Sequence, residues 1–299
     1  QSVVNAVAFV DESQVVGGHD NADVRRWKIE DGQQLGPTMQ AGKCVNSIAV
    51  SRDGRWIVSG DDRYKAIVWN ALTNEKVHHT ECGNNVFALF SVSSGTQLLP
   101  PISHSKVDGV KFSPDGSRFA TASRDSGVRV YSTHDGKVLF DPGPRSSADS
   151  QWWVTPLAWS ADGQQLFVAS KGKITSFMIS DSSSSEWPIH ANQSPVSIAS
   201  SGIFIACSAG SSVSLWDCVS HRRIGSVITH TAEIRCIALS PSGVYLACGV
   251  GNNITIHDLK DVLPLKYFGS GVSEHPHRAI YHSHPSTFPC FSASARTNE

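Results

Sequence analysis

Short runs of alternating apolar and polar residues dominate the chain, and turns rich in glycine, aspartate and serine separate them. Residues 107–142 contain the runs "VDGVKFS", "RFATAS", "VRVYS" and "KVLFDP", with "SPDG", "RDSG" and "HDG" between them. A period of two over such short runs predicts β-strands, and the Asp-Gly dipeptides predict hairpin turns. We therefore expect four consecutive antiparallel strands here. No segment of the chain has a convincing helical period.

This four-strand pattern repeats about every 40 residues, an interval typical of stacked repeat architectures. Most intervals between successive turn glycines are near that value. These glycines are Gly54, Gly116, Gly163, Gly202 and Gly243. A four-stranded unit of this size cannot bury both of its faces alone, and units stacked radially bury each other's faces. The repeat therefore predicts an all-β propeller.

The chain resembles the WD40-repeat family at "VWN" (68–70), "LWD" (215–217) and "IHD" (256–258), together with the Asp-Gly turns. The resemblance implies a WD40-like β-propeller over residues 1–269, with six full four-stranded blades and one truncated unit, a degenerate seven-bladed ring. The expected units are 3–41, 42–83, 84–103 (truncated), 104–145, 150–190, 191–230 and 231–269.

The third unit is about half the usual length. "GTQLLPP" (95–101) aligns with "GQQLGPT" (32–38), which closes the first unit as a fourth strand, and "NVFALFSV" (85–92) has the pattern of a first strand. The second and third strands of this unit are therefore missing. An unusual loop is one explanation, and a deletion, an alternative splice or a gene-model error is the other.

The two ends of the predicted ring offer no spare strand for closure. The chain starts with a first strand, "VVNAVAFV", and "PLKYFG" (264–269) has the pattern of the last fourth strand. We expect the ring to close by packing of blade against blade, unless residues upstream of Gln1 supply the strand. Residues 270–299 contain two His-x-His pairs that offer metal ligands, but their Ser/His/Pro-rich composition favours a disordered tail.

The resemblance also implies a structural hydrogen-bonded tetrad of His, Ser or Thr, Asp and Trp within a blade. In the fourth unit it assigns His104, Thr121 and Asp125, with Tyr131 in the Trp position. In the second unit it assigns Ser59 and Trp69. In the sixth, Trp216 stands almost alone, and in the seventh His230 fits while His257 replaces Trp. These tetrads are expected to stabilise the fold and not to catalyse a reaction.

Candidate partner-binding residues lie at the junctions that precede first strands. Trp152 and Trp153 precede one such strand, and two adjacent residues in an extended run point to opposite sides. One of them is expected to be buried, while the other either packs or contacts a partner. The remaining junction candidates are Lys43, Asn84, Lys106 and Glu233.

Composition narrows the class of function. The formal net charge is −1, so no general field favours nucleic acid or an anionic membrane. No apolar run is long enough to span a bilayer, and the first residues lack the features of a signal peptide. The seven cysteines form no Cys-x-x-Cys pair and lie mostly in apolar runs, which favours free thiols in a reducing, cytoplasmic compartment.

No nucleophile elbow, zinc-protease or phosphate-loop motif occurs in the sequence. We therefore expect a non-catalytic scaffold that binds a protein or peptide, with no cofactor and no metal. The alternative is a carbohydrate-binding or hydrolytic propeller. The resemblance is nearest in style to WD40 modules of filamentous fungi, which implies the C-terminal sensor arm of a larger protein with a NACHT-type nucleotide-binding module.

Overall fold

The structure is a computed structural model, and it describes residues 2–62, 65–81, 86–87, 91, 96–99, 102–104, 107–123, 126–143, 157–193, 195–268 and 286–289. Within them lie six four-stranded antiparallel sheets and one two-stranded piece. The predicted all-β fold with six full units and one truncated unit is confirmed. We number the sheets by repeat unit, so the two-stranded piece is the third unit.

The first three units contain ten strands. The first sheet is β1 (Val4–Phe9), β2 (Gln14–His19), β3 (Asp23–Lys28) and β4 (Met39–Gln40), and the second is β5 (Val45–Val50), β6 (Trp56–Asp61), β7 (Lys65–Asn70) and β8 (Lys76–Glu81). The third unit is β9 (Val86–Phe87) and β10 (Ile102–Ser103).

The remaining four sheets contain sixteen strands. The fourth sheet is β11 (Val107–Phe112), β12 (Arg118–Ser123), β13 (Gly127–Ser132) and β14 (Val138–Phe140), and the fifth is β15 (Leu157–Trp159), β16 (Gln165–Ser170), β17 (Lys173–Met178) and β18 (Ser184–Pro188). The sixth is β19 (Val196–Ser200), β20 (Phe204–Ala209), β21 (Ser212–Asp217) and β22 (Arg223–Thr229), and the seventh is β23 (Ile234–Leu239), β24 (Tyr245–Val250), β25 (Asn253–Asp258) and β26 (Ser286–Pro289).

The core lies between neighbouring sheets. In the sixth sheet every residue of β20 is buried, because both faces of this central strand are covered. Among the described residues five apolar clusters fill five junctions: fourth–fifth, fifth–sixth, sixth–seventh, seventh–first and first–second. Burial of these faces is the main favourable free energy of the fold, at roughly 25 cal/mol for each Å² of apolar surface removed from water.

The inner strands follow one another around an arc. β5 lies beside β1, β1 beside β23, β23 beside β19, β19 beside β15, and β15 beside β11. Glu12, after β1, accepts hydrogen bonds from the backbone N–H and the hydroxyl of Ser242, at 2.5 and 2.8 Å. The first and seventh sheets therefore pack directly against each other.

The junction between the second and fourth sheets differs from the others. Within the described part of the chain, β5 and β11 do not lie side by side as the other inner strands do, and no apolar cluster joins them. Phe112 of β11 is 50% exposed, and Ala49 of β5 is exposed. In the third unit, Ile102 pairs with Phe87. Among the described residues, both facing sheets thus have partly exposed side chains at this junction.

The last fourth strand is not where the sequence pattern places it. Residues 264–269 were expected to form it, but Leu265–Tyr267 is a 3₁₀ turn, and β26 pairs with β25 instead. Tyr267 and Phe268 pack edge-on against the ring of Phe204. The apolar residues of this segment are therefore buried against the sixth sheet, and they do not form a strand. β26 belongs to the segment expected as a disordered tail; residues 269–285 and 290–299 lie outside the described residues.

Helices able to cross a bilayer are absent from the described parts of the chain.

Candidate functional site

One face of the arc carries the candidate binding surface. Each full sheet is antiparallel and ordered by sequence, so two kinds of connection emerge on the same side. These are the turns between second and third strands and the links from a fourth strand to the next first strand. We call this side the rim face, and the opposite side, with the other turns, the base face. Connections are where binding groups are usually placed on a rigid scaffold.

Four inner strands begin with a β-bulge at the rim face. The pairing register shifts around the second residue of β1, β5, β11 and β23. The extra residues at these four bulges are Asn5, Asn46, Asp108 and Arg235. A bulge leaves its extra residue out of the regular ladder. The fold thereby places a polar residue at the start of each of these inner strands.

Hydrogen bonds connect three of these bulged residues across three sheets. Arg235 Nη1 donates to Asn5 Oδ1 at 3.0 Å, and Asn5 Nδ2 donates to the Val45 carbonyl oxygen and to Cys44 Sγ, both at 3.3 Å. The Cys44 thiol donates to Asn46 Oδ1 at 3.4 Å. Burial raises the pKa of Cys44, so this thiol stays protonated at neutral pH. The network fixes the orientation of its polar groups before any ligand arrives.

A shallow depression of about 410 Å³ lies on the rim face between the fifth, sixth and seventh sheets. Lys171 and Gly210 come from turns of the fifth and sixth sheets, and Gln193 and Glu233 come from links that precede first strands. Lys171, Gln193 and Glu233 are exposed. The lining offers both signs of charge and an amide, which suits a polar backbone or mixed side chains better than a purely apolar ligand.

The rim residues expected from the sequence are only partly within the described chain. Lys43 and Glu233 are both exposed, in the link before the second sheet and in the link before the seventh. Trp152, Trp153, Asn84 and Lys106 lie outside the described residues. Sequence reasoning missed the bulged residues, although a signal exists. Their strands start "VNA", "VNS", "VDG" and "IRC", a β-branched residue, then a polar one, then a small one.

The tetrad residues assigned to the second and fourth sheets lie close together. Trp69 Nε1 donates to Ser59 Oγ at 2.9 Å, and both residues are buried. In the fourth sheet His104 Nδ1 lies 2.7 Å from Thr121 Oγ1, while Tyr131 stacks on Phe119 with ring centroids 5.1 Å apart. Asp125 lies outside the described residues. Burial and the nearby Arg129 lower the pKa of His104, which keeps its imidazole neutral.

In the sixth sheet Trp216 is not alone, contrary to the sequence-based expectation. Its Nε1 donates to Ser214 Oγ at 2.7 Å, and His190 Nδ1 lies 2.7 Å from the same oxygen. Ser214 is on the same strand as Trp216, two positions before it, whereas the family pattern looks for the hydroxyl on the preceding strand. On the preceding strand, β20, the residue at the family's Ser/Thr position is Cys207. The sequence comparison therefore did not identify Ser214 as the partner of Trp216.

The seventh sheet has a different set of side chains at the tetrad positions. His257 lies at the Trp position of β25, Cys248 at the Ser/Thr position of β24, and His230 in the preceding link. The two imidazole Nε2 atoms are 3.1 Å apart. Burial, and to a lesser degree His230, lowers the pKa of His257 to about 4. At neutral pH both rings are therefore uncharged.

Comparisons with known proteins agree with this architecture. The family described as "WD domain, G-beta repeat" matches residues 35–70, 95–132 and 222–258. The chain is 28% identical over 200 residues to Protein HIR1 of Candida albicans, which covers 61% of this chain and 19% of that protein. It is 33% identical over 165 residues to WD repeat-containing protein 1 of Bos taurus, 54% of this chain and 22% of the relative.

A third relative is the guanine nucleotide-binding protein subunit beta of Arabidopsis thaliana, 26% identical over 47% of this chain and 34% of its own length. The chain thus spans well under half of these relatives. Two solved structures, of U3-55K and of the RRP9 WD40 repeats, each superpose with a TM-score of 0.69 over 84% of this chain, at 15% and 16% identity. They cover 89% and 88% of those chains and show the shared fold. The matched segments show WD40 repeats in this chain, and the six-sheet arc shows a WD40-like β-propeller fold.

Proposed function

We propose that this propeller is a non-catalytic scaffold that binds a protein or peptide at its rim face. The observation that supports this most strongly is the network of Arg235, Asn5, Cys44 and Asn46, which preorients hydrogen-bonding groups across three sheets. A preoriented surface loses less side-chain entropy on binding than a mobile one. Lys43 and Glu233 flank this network with exposed charges and are proposed as contact residues.

The chemistry of the network favours recognition over catalysis. Amide and guanidinium groups are neither nucleophiles nor general bases at neutral pH. Cys44 is the one nucleophile among the network's described side chains, and burial raises the pKa of its thiol. A thiol is a much weaker nucleophile than a thiolate. The WD40 relatives support a scaffold of this general kind.

Our proposal extends to the larger protein that contains this propeller and to its cellular compartment. We propose that the propeller acts as the interaction arm of a larger protein, with a NACHT-type module as the candidate companion. A reducing compartment such as the cytoplasm suits the described cysteines, which are all free. Trp152, Trp153, Asn84 and Lys106 remain candidates for partner contact on sequence grounds.

The proposal can be tested by panning a peptide display library against the folded chain and comparing two arginine variants. Arg235→Ala removes the donor to Asn5 on the rim face. Arg222→Ala removes an exposed arginine between β21 and β22, on the base face. We expect enriched peptides to lose at least about tenfold in affinity with Arg235→Ala, about 1.4 kcal/mol, and to bind Arg222→Ala unchanged.

Equal binding to the two variants, or failure to enrich any peptide, would contradict the rim proposal. A parallel glycan array separates the alternative class of function. Glycan binding that Arg235→Ala abolishes would favour the carbohydrate-binding reading, whereas the scaffold proposal expects no signal on the array.

A further inference from the structure

The seventh sheet brings together three side chains whose atoms are those that bind transition metals. The donor atoms of His230, Cys248 and His257 all lie within 4.8 Å of one another. The two histidine rings are nearly perpendicular, at 79°, with centroids 5.0 Å apart, so their Nε2 atoms converge without stacking. Cys248 is fully buried, and both histidines are half-buried. The cluster therefore sits at the edge of the core, where an ion can reach it from solvent.

We propose that His230 Nε2, His257 Nε2 and Cys248 Sγ bind one Zn²⁺ ion. In tetrahedral coordination, with zinc–nitrogen bonds of about 2.0–2.1 Å, two ligating nitrogens lie roughly 3.3 Å apart. The observed separation of 3.1 Å needs only a small adjustment to reach that value. Two imidazoles and one thiolate form a donor set that zinc accepts, with the fourth position left to water.

The protonation states are compatible with binding. Burial lowers the pKa of both histidines, so each imidazole is neutral. At 3.1 Å one Nε2–H donates to the other Nε2, so zinc binding requires the donor ring to carry its proton on Nδ1 instead. Burial, with a smaller effect from Cys236, raises the pKa of the Cys248 thiol. Zinc must therefore displace the thiol proton, which passes to the buffer as the Zn–S bond forms. Binding should weaken as the pH falls.

The sixth sheet provides a natural comparison within the same chain. His190 follows a fourth strand as His230 does, and Cys207 has the position in β20 that Cys248 has in β24. Trp216 occupies the position of His257, and its indole donates to Ser214. An indole N–H has no lone pair to offer a metal. The sixth sheet thus has the cysteine and one histidine, but lacks the second imidazole that the proposed site requires.

The comparison suggests informative variants. His257→Trp introduces the residue that Trp27, Trp69 and Trp216 supply at the same position in other sheets, so it removes a ligand while keeping a side chain that this fold accommodates. Cys248→Ser replaces the thiol with a hydroxyl of similar shape, as at Ser59 in the second sheet. Cys207→Ser is the matched control, because it changes an equally buried cysteine outside the proposed site.

The test is titration of the chelator-treated full chain with Zn²⁺ by calorimetry and with Co²⁺ by absorbance. We expect about one equivalent to bind the wild-type chain and Cys207→Ser alike, with a thiolate-to-cobalt charge-transfer band. His257→Trp should bind at least about tenfold more weakly while retaining its β-sheet circular dichroism. Cys248→Ser should lose the band.

The tail histidines are tested separately by a variant in which all four become Ala. These are His275, His277, His282 and His284. The proposal requires this variant to retain the charge-transfer band. No saturable binding by the wild-type chain, unchanged binding by His257→Trp, or loss of the band only on removal of the tail histidines would overturn it. None of these outcomes depends on whether the rim face binds a peptide.

Discussion

Trp216 and Ser214 form a hydrogen bond between side chains of a single strand, with 2.7 Å between indole Nε1 and Oγ. His190 contacts the same hydroxyl from the link before the sixth sheet. One fully buried serine thus ties the third strand of its sheet to the connection that reaches the rim face.

Replacement of Ser214 by Ala should destabilise the propeller by about 1–3 kcal/mol, because the buried indole N–H loses its acceptor. Thermal or chemical unfolding measures the effect. Ser185→Ala, on an exposed part of β18, is the control and should change stability by less than about 0.5 kcal/mol. Equal stability of the two variants would show that the Ser214 network does not support the fold.

Gly18 and Gly60 occupy equivalent positions in β2 and β6 but face different surroundings. A Cβ added at Gly18 would lie 2.9 Å from Ile48 and even closer to Val45, both of the second sheet. At Gly60 the nearest neighbour is the hydroxyl of Ser47, which can rotate away. We expect Gly18→Ala to cost about 1–3 kcal/mol through overpacking and Gly60→Ala to cost much less. Comparable losses would contradict the open face assigned to the second sheet.

The strands themselves could be predicted because period-two patterning and turn glycines are local signals. The number of full units and the incomplete third unit could also be predicted, because the turn glycines recur about every 40 residues except there. The position of the last fourth strand could not be predicted, because the apolar residues Tyr267 and Phe268 are buried against Phe204 by a short turn. The alternation of apolar and polar residues indicates which side chains are buried, but it does not indicate which part of the fold buries them.

Acidification should destabilise the chain through His19 in the first sheet. Burial, and then the positive charge of Arg25, lowers the pKa of His19 to about 4, against the opposing effects of Asp23 and Asp20. The unfolded chain therefore binds more protons between pH 6.5 and 4, so stability is present above this window and is lost as the pH falls through it. His19 alone should account for up to about 2 kcal/mol between pH 7 and pH 5.

Chemical denaturation at a series of pH values measures this slope. The variant His19→Gln carries no titratable group at this position and should flatten the dependence. His134→Gln, which changes an exposed histidine of the base face, should leave the slope as in the wild-type chain. A slope unaffected by His19→Gln would contradict the assignment.

Completing the third unit should stabilise the propeller. Insertion of about 20 residues patterned on "GRWIVSGDDRYKAIVWNALT" between Val92 and Ser94 would supply its missing second and third strands. These strands should cover exposed apolar groups such as Phe112, and full burial of such a side chain contributes about 1.5–3 kcal/mol. Thermal melting and solution mass measure the result. An unchanged melting temperature and an equally monodisperse monomer would show that the short unit is a tolerated loop.

The candidate site was less predictable than the strands. The links that carry Lys43 and Glu233 could be located because links before first strands are recognisable from the repeat. The orientation of Asn5 and Arg235 depends on bulges, which pairing across two strands creates and which a single strand does not reveal. The proximity of Cys248 to His230 and His257 is likewise a product of pairing and packing, although His230 lies in the link directly before the repeat that contains the other two.

The junction between the second and fourth sheets, where the described residues form no apolar cluster, should give the molecule an uneven mechanical response. Five junctions are filled by apolar clusters, so the sheets joined there should move as one stiff body. If the second sheet is pulled away from the fourth, we expect the short third unit between them to yield before any strand of a full sheet unpairs, because no apolar cluster of described residues joins these two sheets. We expect the first movement to occur where the repeat is shortest.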